Sequence, residues 1–356
     1  MPCLVRRAKS TVMLEAVGSF ELSDYIHALS FAPAGDRLAA CAASGQVGVW
    51  HIPGLARACV TKGHAEGALS LAWEAKGALL ATGGEDGVVR VWDPNRGEER
   101  AVLLVGASRD WVSHLLWHRE SGMLAAAAGK TVRMWTPLAN STFRQSAEIA
   151  THKTTVSALV WAPKGAGVIS ACHGGAWLWK VGKERPVRPF PYGGAPIALA
   201  VSPDGRYLAS GNLDSSVHLW HIETEQNWGI SGYPSKVRMV AFDVPNRYIV
   251  TVAGEDLVLW DAKKFEGSSG KLLKGHRGWI QGLACHPQAS LVATVGEDGL
   301  LHLWEPPSSK PIVAAEVNKA GGLSAVAWDG RGQWLATGAS HGTITLFRVD
   351  GLRTAA

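Results

Sequence analysis

The segment Gly83-Gly84-Glu85-Asp86-Gly87-Val88-Val89-Arg90-Val91-Trp92 returns, lightly varied, as Val295-Gly296-Glu297-Asp298-Gly299-Leu300-Leu301-His302-Leu303-Trp304. A Trp closes a β-type run at Trp50, Trp92, Trp135, Trp179, Trp220, Trp260 and Trp304, and Phe347 holds the same place at the end. The spacings are 42, 43, 44, 41, 40, 44 and 43 residues. The chain therefore carries eight copies of one unit. A unit of this size folds as a small sheet that cannot bury both faces alone, so successive copies must stack on one another.

The second copy shows the grammar of the unit. Leu69-Ser70-Leu71-Ala72-Trp73 alternates with period two, as a half-buried strand does. Glu74-Ala75-Lys76-Gly77 reads as a turn, and Leu79-Leu80-Ala81-Thr82 as a second strand, apolar on both faces. Glu85-Asp86-Gly87 is a tight turn, Val88 to Trp92 a third strand, and Asp93-Pro94-Asn95 its breaker. A fourth strand is expected near Arg100 to Val105. A four-stranded antiparallel sheet recurring every 40–45 or so residues is the blade of a β-propeller. The predicted fold is all-β, one eight-bladed propeller spanning residues 1–356. A strand candidate at Val12 to Val17 precedes the first copy and is expected to close the ring by pairing with the last blade, removing an exposed edge.

At 356 residues the length prior would allow two or three domains, but the copies run almost end to end with no linker between them. The five Cys (Cys3, Cys41, Cys59, Cys172, Cys285) are odd in number and include no Cys-x-x-Cys, which argues against a disulfide framework or a zinc ribbon and for a reducing, cytoplasmic setting. Arg6 and Arg7 are followed by Lys9, Ser10 and Thr11 rather than an apolar stretch, so no secretory signal is expected. No membrane-spanning apolar run is present. The formal charge of +5 comes from 35 basic against 30 acidic residues, without a concentrated basic stripe.

Two copies share a further pattern. Gly63-His64, Thr82, Asp86 and Trp92 stand at spacings of 18, 4 and 6 residues, and Gly275-His276, Thr294, Asp298 and Trp304 at the same spacings. This pattern resembles the WD40-repeat family, and the likeness covers the chain from about Val12 to Arg348. The resemblance implies that His64, Thr82, Asp86 and Trp92, and likewise His276, Thr294, Asp298 and Trp304, form a hydrogen-bonded structural network inside each blade. Such a network is costly if half made. Other copies depart from the pattern. Ser210, Asp214 and Trp220 lack the His; His152, Ser170 and Trp179 lack the Asp; Ala125 to Ala128 replace the polar members; Ser44 and His341 occupy the Asp place. Those blades are expected to rely on apolar packing, with Phe31, Trp73, Trp117, Trp161, Phe242 and Trp328 recurring near the end of the first strand.

Chemical motifs are sparse. Gly338-Ala339-Ser340-His341-Gly342 fits the nucleophile-elbow pattern, but an elbow needs a strand-to-helix turn and this segment falls between two strands. Cys172-His173, Cys285-His286 and the pair His114 and His118 do not form chelating sets on strands, so no metal site is predicted; metal-associated binding on a His-containing face assembled across blades is the alternative. Gly267-Ser268-Ser269-Gly270-Lys271 is a phosphate loop in composition only. Asn140-Ser141-Thr142 fits the glycosylation pattern and matters only in a secreted chain. No cofactor and no catalytic residue is expected.

The resemblance implies a non-catalytic scaffold for protein–protein interaction, a monomeric ring whose partners are other proteins, alone or within a larger complex. It places the partner surface on the face that carries the residue just before each first strand: Tyr25, Trp111, Thr155, Lys236 and Trp279, with Glu85 and Glu297 on the same rim. The alternative is that each Trp tucks over its own blade. Nucleic-acid binding would require Lys183, Arg185, Arg188, Lys263, Lys264 and Lys271 to gather on one face and is not favoured. An enzyme would need a nucleophile–base pair or paired carboxylates at a channel mouth, and no convincing set is present.

Overall fold

The computed structural model describes residues 12–106, 110–138, 142–165, 167–265, 269–319 and 321–351. Among these residues the chain forms strands and turns, with no α-helix and one 3₁₀ turn at Pro163–Gly165. The strands make eight sheets of four, paired antiparallel, in the all-β arrangement of an eight-bladed β-propeller. Seven sheets are consecutive quartets in the chain. The eighth combines the first strand, Met13–Glu21, with the last three, Leu323–Trp328, Trp334–Ala339 and Thr343–Asp350.

The chain divides into two compact units, Ser30–Val201 and Met1–Leu29 with Ser202–Ala356. In Ser30–Val201 the second blade runs Ala68–Trp73, Leu80–Gly84, Val88–Asp93 and Glu98–Leu104. Burial is highest in the second strand and lowest in the fourth. The second strand is buried at every residue, as are Leu124–Ala128 and Val168–Cys172 in the next two blades, whereas Glu98–Leu104 is largely exposed. A strand in mid-blade has a neighbouring sheet on each face, and its alternate side chains go to different cores. Ala126 and Ala128 pack with Ala81, Val89, Val91 and Leu124, while Ala125 and Ala127 pack with Met134, Val156 and Leu159. The four alanines that replace polar members are thus filling both interfaces of their blade.

Two further ties hold these blades. Trp73 donates its indole N–H to the Ser30 carbonyl at 3.0 Å. The buried Arg37 guanidinium lies over the Trp73 ring at 5.2 Å and donates to the Gly77 carbonyl at 3.0 Å.

In the second unit the cores lie again between successive blades. Val250, Val252, Leu257 and Leu259 meet Ile280, Val292 and Trp304; Leu291, Val295, Leu301 and Leu303 meet Leu323, Leu335 and Phe347. Trp328 reaches the Ala284 carbonyl of the preceding blade at 3.2 Å, the counterpart of the Trp73 bond. The N-terminal strand is longer than the predicted Val12–Val17. It pairs from Met13 opposite Asp350 to Glu21 opposite Thr343, with a bulge between Ala16 and Gly18. Both Leu14 and Phe20 are buried, so the apolar pairing continues past the bulge.

Two local geometries position the face described next. The turn between second and third strands ends in a residue with positive φ, Gly87 at 78° and Gly299 at 72°, which only glycine adopts without strain. The first strands that open at Val112 and Ile26 do so beside a glycine of the blade before them. A Cβ on Gly83 would lie 2.6 Å from Val112 Cγ1, and one on Gly338 would lie 2.6 Å from Ile26 Cγ2.

Candidate partner-binding face

Five aliphatic residues anchor the starts of first strands and are buried: Ile26, Val112, Val156, Val237 and Ile280. Successive side chains of an extended chain point to opposite sides. The residue before each anchor, Tyr25, Trp111, Thr155, Lys236 or Trp279, is therefore turned outward. Trp111 is 57% and Trp279 44% exposed, both high for a residue whose area normally goes into a core. Thr155 and Lys236 are exposed and Tyr25 half-buried. Glu297 is exposed and Glu85 half-buried, each beside the Asp of its tetrad.

The structure brings three of these residues together in the unit Met1–Leu29 with Ser202–Ala356. Tyr25 is hydrogen-bonded to Ser324 and feels the charges of Arg238 and Glu297; burial raises its hydroxyl pKa against the lowering effect of Arg238. The Arg238 guanidinium lies over the Trp279 ring, 5.8 Å from its centroid. Gln281 donates to Glu297 Oε1 at 2.6 Å. Trp111, Thr155 and Glu85 belong to the other unit, where no hydrogen bond, ion pair or ring contact links their side chains among the described residues. Arg238 and Gln281 were not singled out from the sequence. They stand two residues after Lys236 and Trp279, and period-two alternation alone would have placed them on the same side.

Beneath this face lie the tetrads. In the second blade Trp92 Nε1 donates to Thr82 Oγ1 at 2.8 Å, Thr82 meets His64 Nε2 at 2.8 Å, and His64 Nδ1 meets Asp86 Oδ1 at 2.9 Å. The seventh blade repeats this with Trp304, Thr294, His276 and Asp298 at 2.8, 2.8 and 3.0 Å. The roles are forced in order. Indole can only donate, so the Thr oxygen accepts and its hydroxyl proton goes to Nε2, leaving the other ring proton for the carboxylate. Burial lowers the pKa of His64 and His276, against the raising effect of the Asp partners. Burial would raise the Asp86 carboxyl, but hydrogen bonds from His64, the Val88 amide and Arg90 hold it below the usual range.

The divergent blades rebuild the network with other groups. In the fourth, the Lys130 carbonyl takes the place of the missing Asp, meeting His152 Nδ1 at 3.0 Å, while Ser170 bridges His152 and Trp179. In the sixth, Tyr233 replaces the His. Trp260 donates to the Tyr233 hydroxyl at 2.6 Å, which meets Thr251 Oγ1 at 2.8 Å. Burial pushes this hydroxyl up to about 12. The signal was present, since Tyr233 follows Gly232 and precedes Thr251 by the same 18 residues as His64 precedes Thr82. In the fifth, Ser210 bonds Asn212 at 2.9 Å, and the line continues through Ser216 to Asp214.

The remaining motifs fall in structural settings. Ser340 sits in the turn between Trp334–Ala339 and Thr343–Asp350, with no helix following. His286 is buried against the Gly332 carbonyl at 3.2 Å, and burial pushes the neighbouring Cys285 thiol up to about 12. Among the described residues no three of His, Cys, Asp and Glu converge as metal ligands. Of the basic residues, Lys183, Arg185 and Arg188 belong to one unit and Lys263, Lys264 and Lys271 to the other. Asn140, Ser141, Gly267 and Ser268 lie outside the described residues.

The family model for the WD domain, G-beta repeat, matches residues 15–51, 57–93, 188–221, 267–305 and 316–348, just over half of the chain. The stretches it passes over include the third, fourth and sixth blades, where the tetrad is replaced or rebuilt. The chain is similar to Telomerase protein component 1 of Mus musculus, at 31% identity over 45% of this chain and 6% of that protein. It is similar to Nuclear distribution protein PAC1 of Arthroderma otae, at 27% identity over 64% of this chain and 56% of that one. Autophagy-related protein 16 of Arabidopsis thaliana is 25% identical over 80% of this chain and 57% of its own length. The chain thus spans less than two thirds of each of these relatives. Among solved structures, the computationally designed Ika8 protein shares the fold, with a TM-score of 0.78, 22% identity, and coverage of 92% of this chain and 97% of that one.

Proposed function

The chain belongs to the WD40-repeat family, and from that premise we propose that it is a non-catalytic platform on which other proteins assemble. The observation that carries this reading is the pair Trp111 and Trp279, each exposed one residue before a fully buried anchor. A large aromatic surface held on a rigid strand start, without a packing role, is what an interface hot spot requires. The relatives named as nuclear distribution, autophagy-related and telomerase components fit a part in larger assemblies. We place the protein in the cytoplasm; none of its described helices is long and apolar enough to cross a membrane.

Partners captured by affinity purification and identified by mass spectrometry supply the test. Trp111→Ala or Trp279→Ala should leave the chain folded and weaken binding of those partners by roughly 2 kcal/mol or more. Undiminished capture by both variants would move the recognition surface elsewhere. Turnover of esterase, peptidase, phosphatase or nucleotide substrates that vanished on changing Ser340 would overturn the non-catalytic reading.

A further inference from the structure

This inference rests on the docking reading above and concerns the chemistry of what docks. In the unit Met1–Leu29 with Ser202–Ala356, Arg238 is, among the described residues, the arginine held over an aromatic ring, and arginines fixed elsewhere in the chain have acceptors that it lacks. Arg37 donates to Gly77 and Asn95, Arg90 to Glu99, Arg100 to Asp93, Arg133 to the Leu104 carbonyl, Arg206 to Asp204 and Arg348 to Asp350. The Arg238 guanidinium is half-buried and held over Trp279, yet among the described residues it makes neither a hydrogen bond nor an ion pair.

The anions nearest to hand do not take the vacancy. Glu297 accepts from Gln281 at 2.6 Å. Glu255 is exposed and forms no ion pair among the described residues. What surrounds the position is rich in donors: the guanidinium fork, the exposed Lys236 ammonium two residues before it and the Trp279 indole N–H, with the Tyr25 hydroxyl engaged by Ser324. A guanidinium fixed by an aromatic face is already oriented, so little side-chain entropy remains to be lost when a planar acceptor arrives. The complement is a planar oxyanion of single charge. A doubly charged phosphate would face the stronger repulsion from Glu297, whose charge acts on the same Tyr25 hydroxyl as that of Arg238, whereas a carboxylate matches the fork at half that charge.

We propose that Arg238, Lys236, Trp279 and Tyr25 form a seat for an Asp or Glu side chain on an acidic linear segment of the partner protein. Trp279 and Tyr25 supply the apolar walls for the neighbouring residues of that segment.

The full chain is used to select from a displayed library of random linear peptides, and the affinities of selected peptides are then measured by fluorescence polarisation. The selected peptides should share an acidic residue, and changing it to Gln or Asn should weaken binding roughly tenfold or more. In Arg238→Met that change should have no further effect, because the two groups act on each other. Arg238→Lys, which keeps the charge and loses the fork, should recover only part of the affinity. Selected peptides without a shared acid, or peptides indifferent to Arg238→Met, overturn the seat. If those same peptides are lost in Trp111→Ala or Trp279→Ala, the platform reading stands while the carboxylate seat falls. A phosphoserine in place of the acid that binds roughly tenfold tighter reassigns the site to phosphopeptides and overturns the proposal. Selection of no peptide by a folded chain overturns both readings.

Discussion

At the residue scale, two side chains bear most of the polar core of their blades. Thr82 and Thr294 are fully buried, and each satisfies an indole N–H and an imidazole nitrogen with one hydroxyl. Thr294→Val keeps the shape and orphans both partners, so it should cost about 1–3 kcal/mol for each group left unpaired. Asp298→Ala should cost about 1–3 kcal/mol, since it strips the acceptor from His276. Urea denaturation curves read both. A second consequence concerns acid. His302 is buried, stacks on His276 with ring centroids 4.3 Å apart, and burial together with the neighbouring His276 charge lowers its pKa to about 4. The folded state therefore resists a proton that the unfolded chain accepts near pH 6.5. The stability contribution is full above that pH and is lost as pH falls from about 6.5 to about 4. His302→Phe should lessen the fall of the urea midpoint over that window, to which the buried His64 and His276 also contribute, whereas an unchanged slope would place the pH dependence elsewhere.

At the element scale, the decisive piece is the strand Met13–Glu21. It covers the hydrogen-bonding edge of Thr343–Asp350 and brings Leu14 into the core that holds Leu335, Phe347 and Val349. An uncovered edge next to an apolar strand is a template for pairing with another molecule. Deleting residues 1–21 should convert the protein to concentration-dependent oligomers, seen by light scattering, with a lowered thermal midpoint. A monomeric truncation of unaltered stability would show that the last blade does not need its fourth strand. The period-two alternation exposed the start of this strand, but the bulge between Ala16 and Gly18 shifts the alternation and hid its second half. The same holds for the first strands. Register shifts near Ala68, Val112, Ile280 and Leu323 break the simple pattern where the outward residues stand.

At the scale of the whole molecule, the repeat makes each blade depend on its neighbours, and no linker separates any two copies. We propose a single propeller domain, and one domain of stacked repeats predicts one cooperative unfolding transition by calorimetry. Two separable transitions would assign the units Ser30–Val201 and Met1–Leu29 with Ser202–Ala356 to independent folding.

Eight returns of one pattern were enough, read as sequence, to determine eight four-stranded blades, because period and alternation are local properties that leave a mark on every copy. The tetrads were legible for the same reason: their members keep fixed spacing within one blade. Tyr233 and the Lys130 carbonyl escaped because hydrogen bonding is chemically permissive. A phenol or a backbone oxygen can fill a place where the pattern asks for His or Asp. The Arg238–Trp279 contact escaped for another reason. Its residues are 41 positions apart on successive blades, and only the packing of those blades decides that a guanidinium comes to rest on an indole without an ion pair among the described residues.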